Sequence, residues 1–501
     1  MKLPWMFAVA ALLALPIWVV SAPAMPDYPA HLASYWLIAG GAAGSPFYHV
    51  AFAFLPNLAG EVLIPLLGKA IGVELAAKLF LTVALSLWVI GPALVQRALF
   101  GRIGVAALFA SFFAYNANFT WGFLNYLFAM GAAFVILAAW IASEGRRTPL
   151  RIAGFMLAAT AIYFSHLFAL ATLGLMMLGY EAPRWREWRA RALPYVLVFV
   201  PAALAFLFLR PHGRADNGVA FNLLGTAFDR VDAALQLTYD NPSYVLLALL
   251  VLLFVVGLWQ RWLKVHPRMV VPLVLVAVAA ALAPEWAMGG WAVHMRLPAV
   301  LGALAFASSE LDLDRRRLAA LAVSAATVLA LNAWTMARDW RATSAQYDEF
   351  RAAARALPPH LKLLTVLDGN AIGWRSDQPY WHMAEFAIPD ANALTPLLFT
   401  TRDQHVVQMN APYRGIVAAS AEQGSPPDID ELEDLAAGRK DRDEDIRNVF
   451  PYLMYFQCRY DVAVVVHLNG KKTAAPPMLA LRHAGSFFDL YDVRRDASCA
   501  R

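Results

Sequence analysis

Residues 75–96 read LAAKLFLTVALSLWVIGPALVQ, and Lys78 is the one charged side chain among them. About 20 apolar residues in a helix are what a hydrocarbon core demands. A helix also satisfies its own backbone polar groups, which lipid cannot do. The run therefore reads as a membrane span. Others follow the same pattern: Pro4–Ala22, Ile103–Asn118, Phe123–Ala142, Leu193–Leu209, Tyr244–Trp259, Met269–Ala283, Leu297–Ser308 and Leu318–Met336. Arg151–Tyr180 is long enough for two short spans broken near Ser165 and His166. The sequence thus predicts a polytopic α-helical membrane protein with about eleven transmembrane helices.

Charge places the end of this region. The chain has 501 residues, 60% hydrophobic and 15% charged. Of the Asp, Glu, Lys and Arg residues, 36 fall in Met1–Ala337 and 41 in the much shorter Arg338–Arg501. The tail is charged like an ordinary soluble domain. Two domains are expected, residues 1–337 in the membrane and 338–501 outside it. The net charge of +5 sits before Arg338, in short loops between apolar runs, and no nucleic-acid motif accompanies it. Nucleic acid is therefore rejected as a partner.

Basic residues also orient the chain. One set of alternate loops carries sixteen Lys and Arg, from Lys2 through Arg146 and Arg189 to Arg317; the other carries six, despite holding the longest loops. The richer set is cytoplasmic by the positive-inside rule. With an odd number of spans, Met1 lies inside and the tail outside. A rival reading of the N-terminus is a cleaved signal peptide, from Lys2, an apolar core and Ser21-Ala22-Pro23-Ala24. Pro23 works against cleavage, and the charge alternation fits best if the segment stays as the first span.

Polar and aromatic residues collect in the outer loops. The first, residues 23–74, holds Asp27-Tyr28-Pro29-Ala30-His31, then an amphipathic stretch Asn57–Ile71 that suits the membrane interface. Asp27 before Pro29 has the pattern of a helix N-cap, and His31 shares its helical face. The second loop opens with Arg210, His212, Arg214 and Asp216. The third, Glu285–Arg296, carries Trp286, Trp291, His294 and Arg296. His166 interrupts an apolar stretch, where a polar side chain usually faces the bundle interior and is often functional. Arg210 and Arg296 also fit snorkelling at span ends, and the tryptophans fit an aromatic belt.

The order of these features resembles the GT-C superfamily of membrane glycosyltransferases, which includes protein O-mannosyltransferases and the aminoarabinose transferases of lipid A. Asp27 stands where that family has an acid after the first span. Leu55-Pro56-Asn57-Leu58-Ala59 is similar to its Pro-Pro-Leu segment opening an interfacial helix. Glu74–Arg102 is similar to its second span, and His294-Met295-Arg296-Leu297-Pro298 to its late outer element. The likeness covers roughly Met1–Met336 and looks closest to bacterial members with a C-terminal periplasmic domain.

The resemblance implies a bacterial inner-membrane enzyme of inverting type, taking a sugar from a polyprenyl-phosphate donor to an extracytoplasmic lipid, glycan or protein acceptor. It implies Asp27 as general base and Arg296 at the donor phosphate. His294, Arg210, Arg214 and Lys69 are lesser phosphate candidates, and His31 and His166 further substrate-binding candidates. Many members have paired acids at the first-loop site. Here Tyr28 follows Asp27, which favours a single base over a metal bridge, so no cofactor is certain and a divalent metal is not favoured.

Two acidic motifs mislead. Asp312-Leu313-Asp314 has nucleotide-sugar spacing but falls in a cytoplasmic loop, and Asp428–Asp434 reads as a solvated helix or loop. In the tail, Leu361–Leu367, Asp461–His467 and Ser486–Arg494 read as strands of a small α/β or α+β domain. Cys458 and Cys499, both outside the cytoplasm, are expected to form a disulfide. That pairing also commits the last two strands to lie side by side and antiparallel. Two other functional readings stand beside the enzyme: a flippase or transporter for a lipid-linked glycan, which the scarcity of ionisable residues in the spans disfavours, and a non-catalytic GT-C-like scaffold.

Overall fold

Long uncharged runs become helices because a helix pairs its own backbone, and here those helices are joined by short loops. The computed structural model describes residues 2–144, 148–209, 218–237, 243–369, 377–402, 404–416, 425–437, 450–468, 470, 472–495 and 499. In chain order the helices are α1 (Leu3–Trp18), α2 (Tyr28–Ala39), α3 (Ala59–Ile71), α4 (Val73–Phe100), α5 (Ala106–Ser111), α6 (Ala117–Trp121), α7 (Leu124–Ala142), α8 (Pro149–Ser165) and α9 (Leu167–Glu181). Then come α10 (Trp188–Leu204), α11 (Ala227–Ala234), α12 (Tyr244–Trp259), α13 (Val270–Leu282), α14 (Leu297–Ala307), α15 (Arg315–Arg355), α16 (Ala387–Ala391), α17 (Ile429–Ala436) and α18 (Phe456–Arg459). Among the described residues, four helices are long and apolar enough to cross a membrane: α4, α7, α10 with its continuation to Leu209, and α15. Five shorter apolar helices accompany them.

The chain forms two compact units. The first comprises Met1–Val19, Ala53–Leu63 and Ala77–Arg338; the second comprises Val20–Phe52, Ile64–Ala76 and Asp339–Arg501. The change in charge density near Arg338 lies beside one of these boundaries. Within the first outer loop the division is finer than charge density predicts. Residues 20–52 are largely apolar, and their partners lie in the distant tail.

In the first unit, small residues let helices approach. A Cβ on Gly131 of α7 would stand 2.6 Å from Cβ of Leu87 on α4, and one on Gly91 of α4 would stand 2.7 Å from Cβ of Phe134. Two facing glycines thus set this crossing, as is usual where lipid supplies no hydrophobic drive. α8 and α9 are separated by the extended residue His166 (φ −168°). The break leaves backbone groups over, and the loop segment before α3 takes them up. Leu58 N–H donates to the Phe164 carbonyl at 2.7 Å, and Leu167 N–H donates to that of Pro56 at 3.2 Å. Strands β2 (Val219–Ala220) and β4 (Trp286–Ala287) form one short antiparallel ladder, β3 (Leu263–Val265) and β5 (Ser309–Leu311) another.

The Asp-x-Asp spacing has a structural use. Asp312 pairs with Lys264 at 2.6 Å, and Asp314 Oδ1 accepts from the backbone N–H groups of Arg316 and Arg317 at the start of α15. The acidic run near 430 is α17, begun by a capping box between Asp428 and Glu431.

In the second unit, β1 (Tyr48–Val50) pairs antiparallel with β7 (Val407–Met409). Ala30, Ala33, Leu37 and Phe47 share a core there with Ile388, Leu394 and Leu398. The start of the first outer loop and the tail therefore fold as one body. The main sheet runs β6-β8-β10-β9, from β6 (Leu363–Asp368), β8 (Val462–His467), β10 (Phe488–Val493) and β9 (Leu479–Ala484). β6 and β8 are parallel, and β10 is antiparallel to both its neighbours. Cys458 and Cys499 are disulfide-bonded with Cα atoms 5.2 Å apart. The antiparallel β8–β10 pair brings the chain leading into one strand close to the chain leaving the other.

Candidate functional site

Arg296 stands at the N-terminus of α14 and is buried (8% exposed). Its guanidinium lies over three rings, 4.8 Å from that of Phe123, 5.3 Å from Tyr126 and 5.5 Å from Phe168. Such stacking holds a cation with little water. The guanidinium also donates to the Trp291 carbonyl at 3.2 Å, and the Arg296 carbonyl accepts from the Tyr126 hydroxyl at 2.6 Å. Asn118 Nδ2 donates to the neighbouring Met295 carbonyl at 3.1 Å. α6, α7, α9 and α14 thus fix one fork-shaped cation whose preferred partners are carboxylate or phosphate oxygens.

His166 belongs to the same cluster. Its ring meets that of Tyr126 edge-on at 5.2 Å and lies 5.8 Å from that of Phe168. Its half-buried position at the α8–α9 break follows from the backbone pairing with residues 56–58. Next to Tyr126, Asn125 accepts from Gly60 N–H at 2.6 Å and donates to the buried Glu61 carboxylate at 2.8 Å. Burial pushes the Glu61 carboxyl up to about 7, against the pull of the Asn125 hydrogen bond. His294 is buried with Nε2 3.8 Å from the Asp229 carboxylate on α11.

Asp27 lies in the second unit, immediately before α2, and its side chain makes no cap hydrogen bond. The N-cap pattern in the sequence is therefore not realised. Asp27 has helical φ and ψ, and its carbonyl already accepts from His31 N–H at 2.9 Å. His31, one turn on, stacks on Tyr35 with ring centres 5.9 Å apart and meets the Phe399 ring edge-on at 5.4 Å. His382 and His405 flank the same phenyl ring at 4.9 and 5.5 Å. Burial, reinforced by the two neighbouring histidines, pushes His31 down to about 3. Burial pushes His405 down to about 4.

The remaining expected residues are scattered. Lys69 is exposed in the last turn of α3, a helix that also exposes Val62, Leu66 and Leu67 as an interfacial helix does. Arg210 and Arg214 lie outside the described residues. Among the described residues, no three His, Cys, Asp or Glu side chains converge as metal ligands. The structure adds residues that the sequence did not point to. The rings caging Arg296 look like ordinary span aromatics, although Phe168, two residues from His166, offered a hint. Glu61 was hidden in an amphipathic stretch. His382, Glu385 and His405 were hidden in a tail whose partner loop lies more than 300 residues away.

No protein-family profile matches the sequence, and neither does any curated protein. Solved structures do match. ArnT from Cupriavidus metallidurans bound to undecaprenyl phosphate aligns over 100% of this chain and 99% of its own, with TM-score 0.50 and 13% identity. At that identity the likeness is one of fold. The apo form of the same ArnT matches with TM-score 0.49 and 14% identity, over 99% of this chain and 98% of its own. The mycobacterial arabinofuranosyltransferase AftD matches with TM-score 0.48 and 16% identity, over 99% of this chain and 40% of its own.

Proposed function

We propose that this chain is a GT-C glycosyltransferase of the bacterial inner membrane that moves a sugar from a polyprenyl-phosphate donor to an extracytoplasmic lipid, glycan or protein acceptor. The observation that carries the reading is Arg296, a buried guanidinium fixed by three aromatic rings within a fold matched along its whole length by an undecaprenyl-phosphate-bound protein. The topology is about eleven crossings, with the N-terminus cytoplasmic and residues 338–501 periplasmic.

Asp27 takes the proton of the acceptor hydroxyl as that oxygen bonds to the anomeric carbon. The bond from that carbon to the phosphate oxygen breaks on the opposite face, and the electron pair leaves with the polyprenyl phosphate. The configuration inverts. Arg296 meets the charge growing on the departing phosphate, which is where a fixed guanidinium lowers the barrier most.

The test is sugar transfer from a panel of undecaprenyl-phosphate sugars, comparing the wild-type chain with Asp27→Asn. Loss of a general base predicts a decrease of about 100-fold or more. Equal transfer by both chains removes Asp27 from the mechanism.

A further inference from the structure

The second unit buries a carboxylate that the mechanism above does not use. Glu385 is 0% exposed, and neither carboxylate oxygen has a hydrogen-bond partner among the described residues. Among the described residues its ion-pair partner is His382, with Nδ1 3.9 Å from Oε2. His382 is itself 3% exposed, and its Nδ1 likewise has no hydrogen-bond partner there. A buried charge is costly unless paired, so this pair calls for a further electrostatic partner.

The local fold supplies one. Met383–Phe386 is a 3-10 turn packed on α2, and residues three apart in such a turn lie on one side. The turn that His382 precedes and Glu385 belongs to therefore lies against α2, the helix that Asp27 opens. His31 of α2 and His382 share the Phe399 ring as a common neighbour. We propose that His382, backed by Glu385, is a positioning residue for Asp27, its imidazolium holding the Asp27 carboxylate ionised and oriented toward the acceptor hydroxyl. The inference rests on the reading of Asp27 as the base.

The charged and titratable groups around this site single out His382. They are Asp27 and His31 on α2, Glu385 on its own turn, His405 beside β7, and the phenols of Tyr48 and Tyr452, which feel the Glu385 charge. His31 and His405 are held neutral by burial. Burial also acts against a charge on His382, but the Glu385 and Asp27 carboxylates outweigh it and raise its pKa. Of the three histidines around Phe399, His382 is the one whose pKa is raised rather than lowered.

Coupling between two titrating groups is reciprocal, so it can be read without any sugar donor. In the full chain labelled with ¹³C-histidine, the His382 resonance is assigned by its loss in His382→Gln. Its titration midpoint should fall by on the order of one pH unit in Asp27→Asn, and in the same direction in Glu385→Gln. A midpoint unmoved by Asp27→Asn overturns the proposal, whatever the fate of the transferase reading.

Where transfer is measurable, His382→Gln should move the acid limb of kcat/KM up by about one pH unit, with the donor KM little changed. An acid limb at its wild-type position also overturns it. If the chain with Gln at 382 does not fold, Glu385→Gln carries the acid-limb test in the same direction. Loss of transfer in Asp27→Asn together with an unmoved acid limb in the His382 or Glu385 variant removes this inference alone.

Discussion

Replacing His467 by Leu should loosen the four-stranded sheet by about 3 kcal/mol. His467 ends β8 between two carboxylates. Its Nδ1 is 2.7 Å from Oδ2 of Asp368 at the end of β6, and its Nε2 is 3.1 Å from Oδ2 of Asp489 on β10. All three side chains are at most 5% exposed. The ring is thus the polar partner that the two carboxylates share. Leu would leave two buried acids without their shared partner. Removing one partner of a buried charged pair costs roughly 3–5 kcal/mol. The lower end applies here because Asp368 keeps both Thr473 donors, at 2.6 and 2.9 Å, and Asp489 keeps Lys472 at 3.0 Å.

The assay is amide hydrogen exchange of the full chain in detergent, read on peptides covering β8 and β10. A loss of about 3 kcal/mol is roughly 150-fold faster exchange where opening is at equilibrium. Adding Asp368→Asn and Asp489→Asn should recover part of the protection, since neutral amides cost less to bury. The pH dependence has a definite sign. Burial acts against both carboxylates, but hydrogen bonds from Thr473, Lys472 and His467 outweigh it and hold both below the usual range. Their stabilisation is fully present above the unfolded value of about 3.9 and is lost as pH falls through the folded values. Wild-type protection should therefore hold from pH 7 to about pH 4 and decline below. Exchange in His467→Leu within threefold of wild type would refute the reasoning.

Two further outcomes are expected. Arg296→Gln keeps hydrogen-bonding capacity but removes the charge; it should raise the donor KM and the Kd for undecaprenyl phosphate by about 10- to 100-fold, a charge-assisted hydrogen bond being worth roughly 1.5–3 kcal/mol. Unchanged binding of undecaprenyl phosphate would take Arg296 out of the donor site. Cys458→Ser opens a loop with a sequence separation of 41; it should cost about 3 kcal/mol, seen as faster exchange in α18 and at the end of β10.

The readings that proved most direct rested on local signals. α7 lies within the apolar run 123–142, and the break between α8 and α9 is at His166, the residue that interrupts its stretch. The tail strands β6, β8 and β10 coincide with its β-branched and aromatic runs. Helix and strand periods are written in neighbouring residues, so they survive without tertiary context. The N-cap pattern at Asp27 failed because its backbone takes helical φ and ψ, where a capping residue is extended.

The sequence by itself determined that the chain is built of apolar helices, that charge returns near Arg338, and that Asp27, His166 and Arg296 are chemically unusual for their surroundings. Only the tertiary structure decided their company. The aromatic cage of Arg296 comes from α7, α9 and the turn before α7. The His382–Glu385 pair reaches α2 across more than 300 residues of chain. Burial and pairing depend on which segments meet in space, and one-dimensional patterns record a residue's own type and spacing but not its distant neighbours. The division of the first outer loop, with residues 20–52 folded on the tail, has the same cause: β1 is completed by β7, whose sequence lies some 360 positions further on.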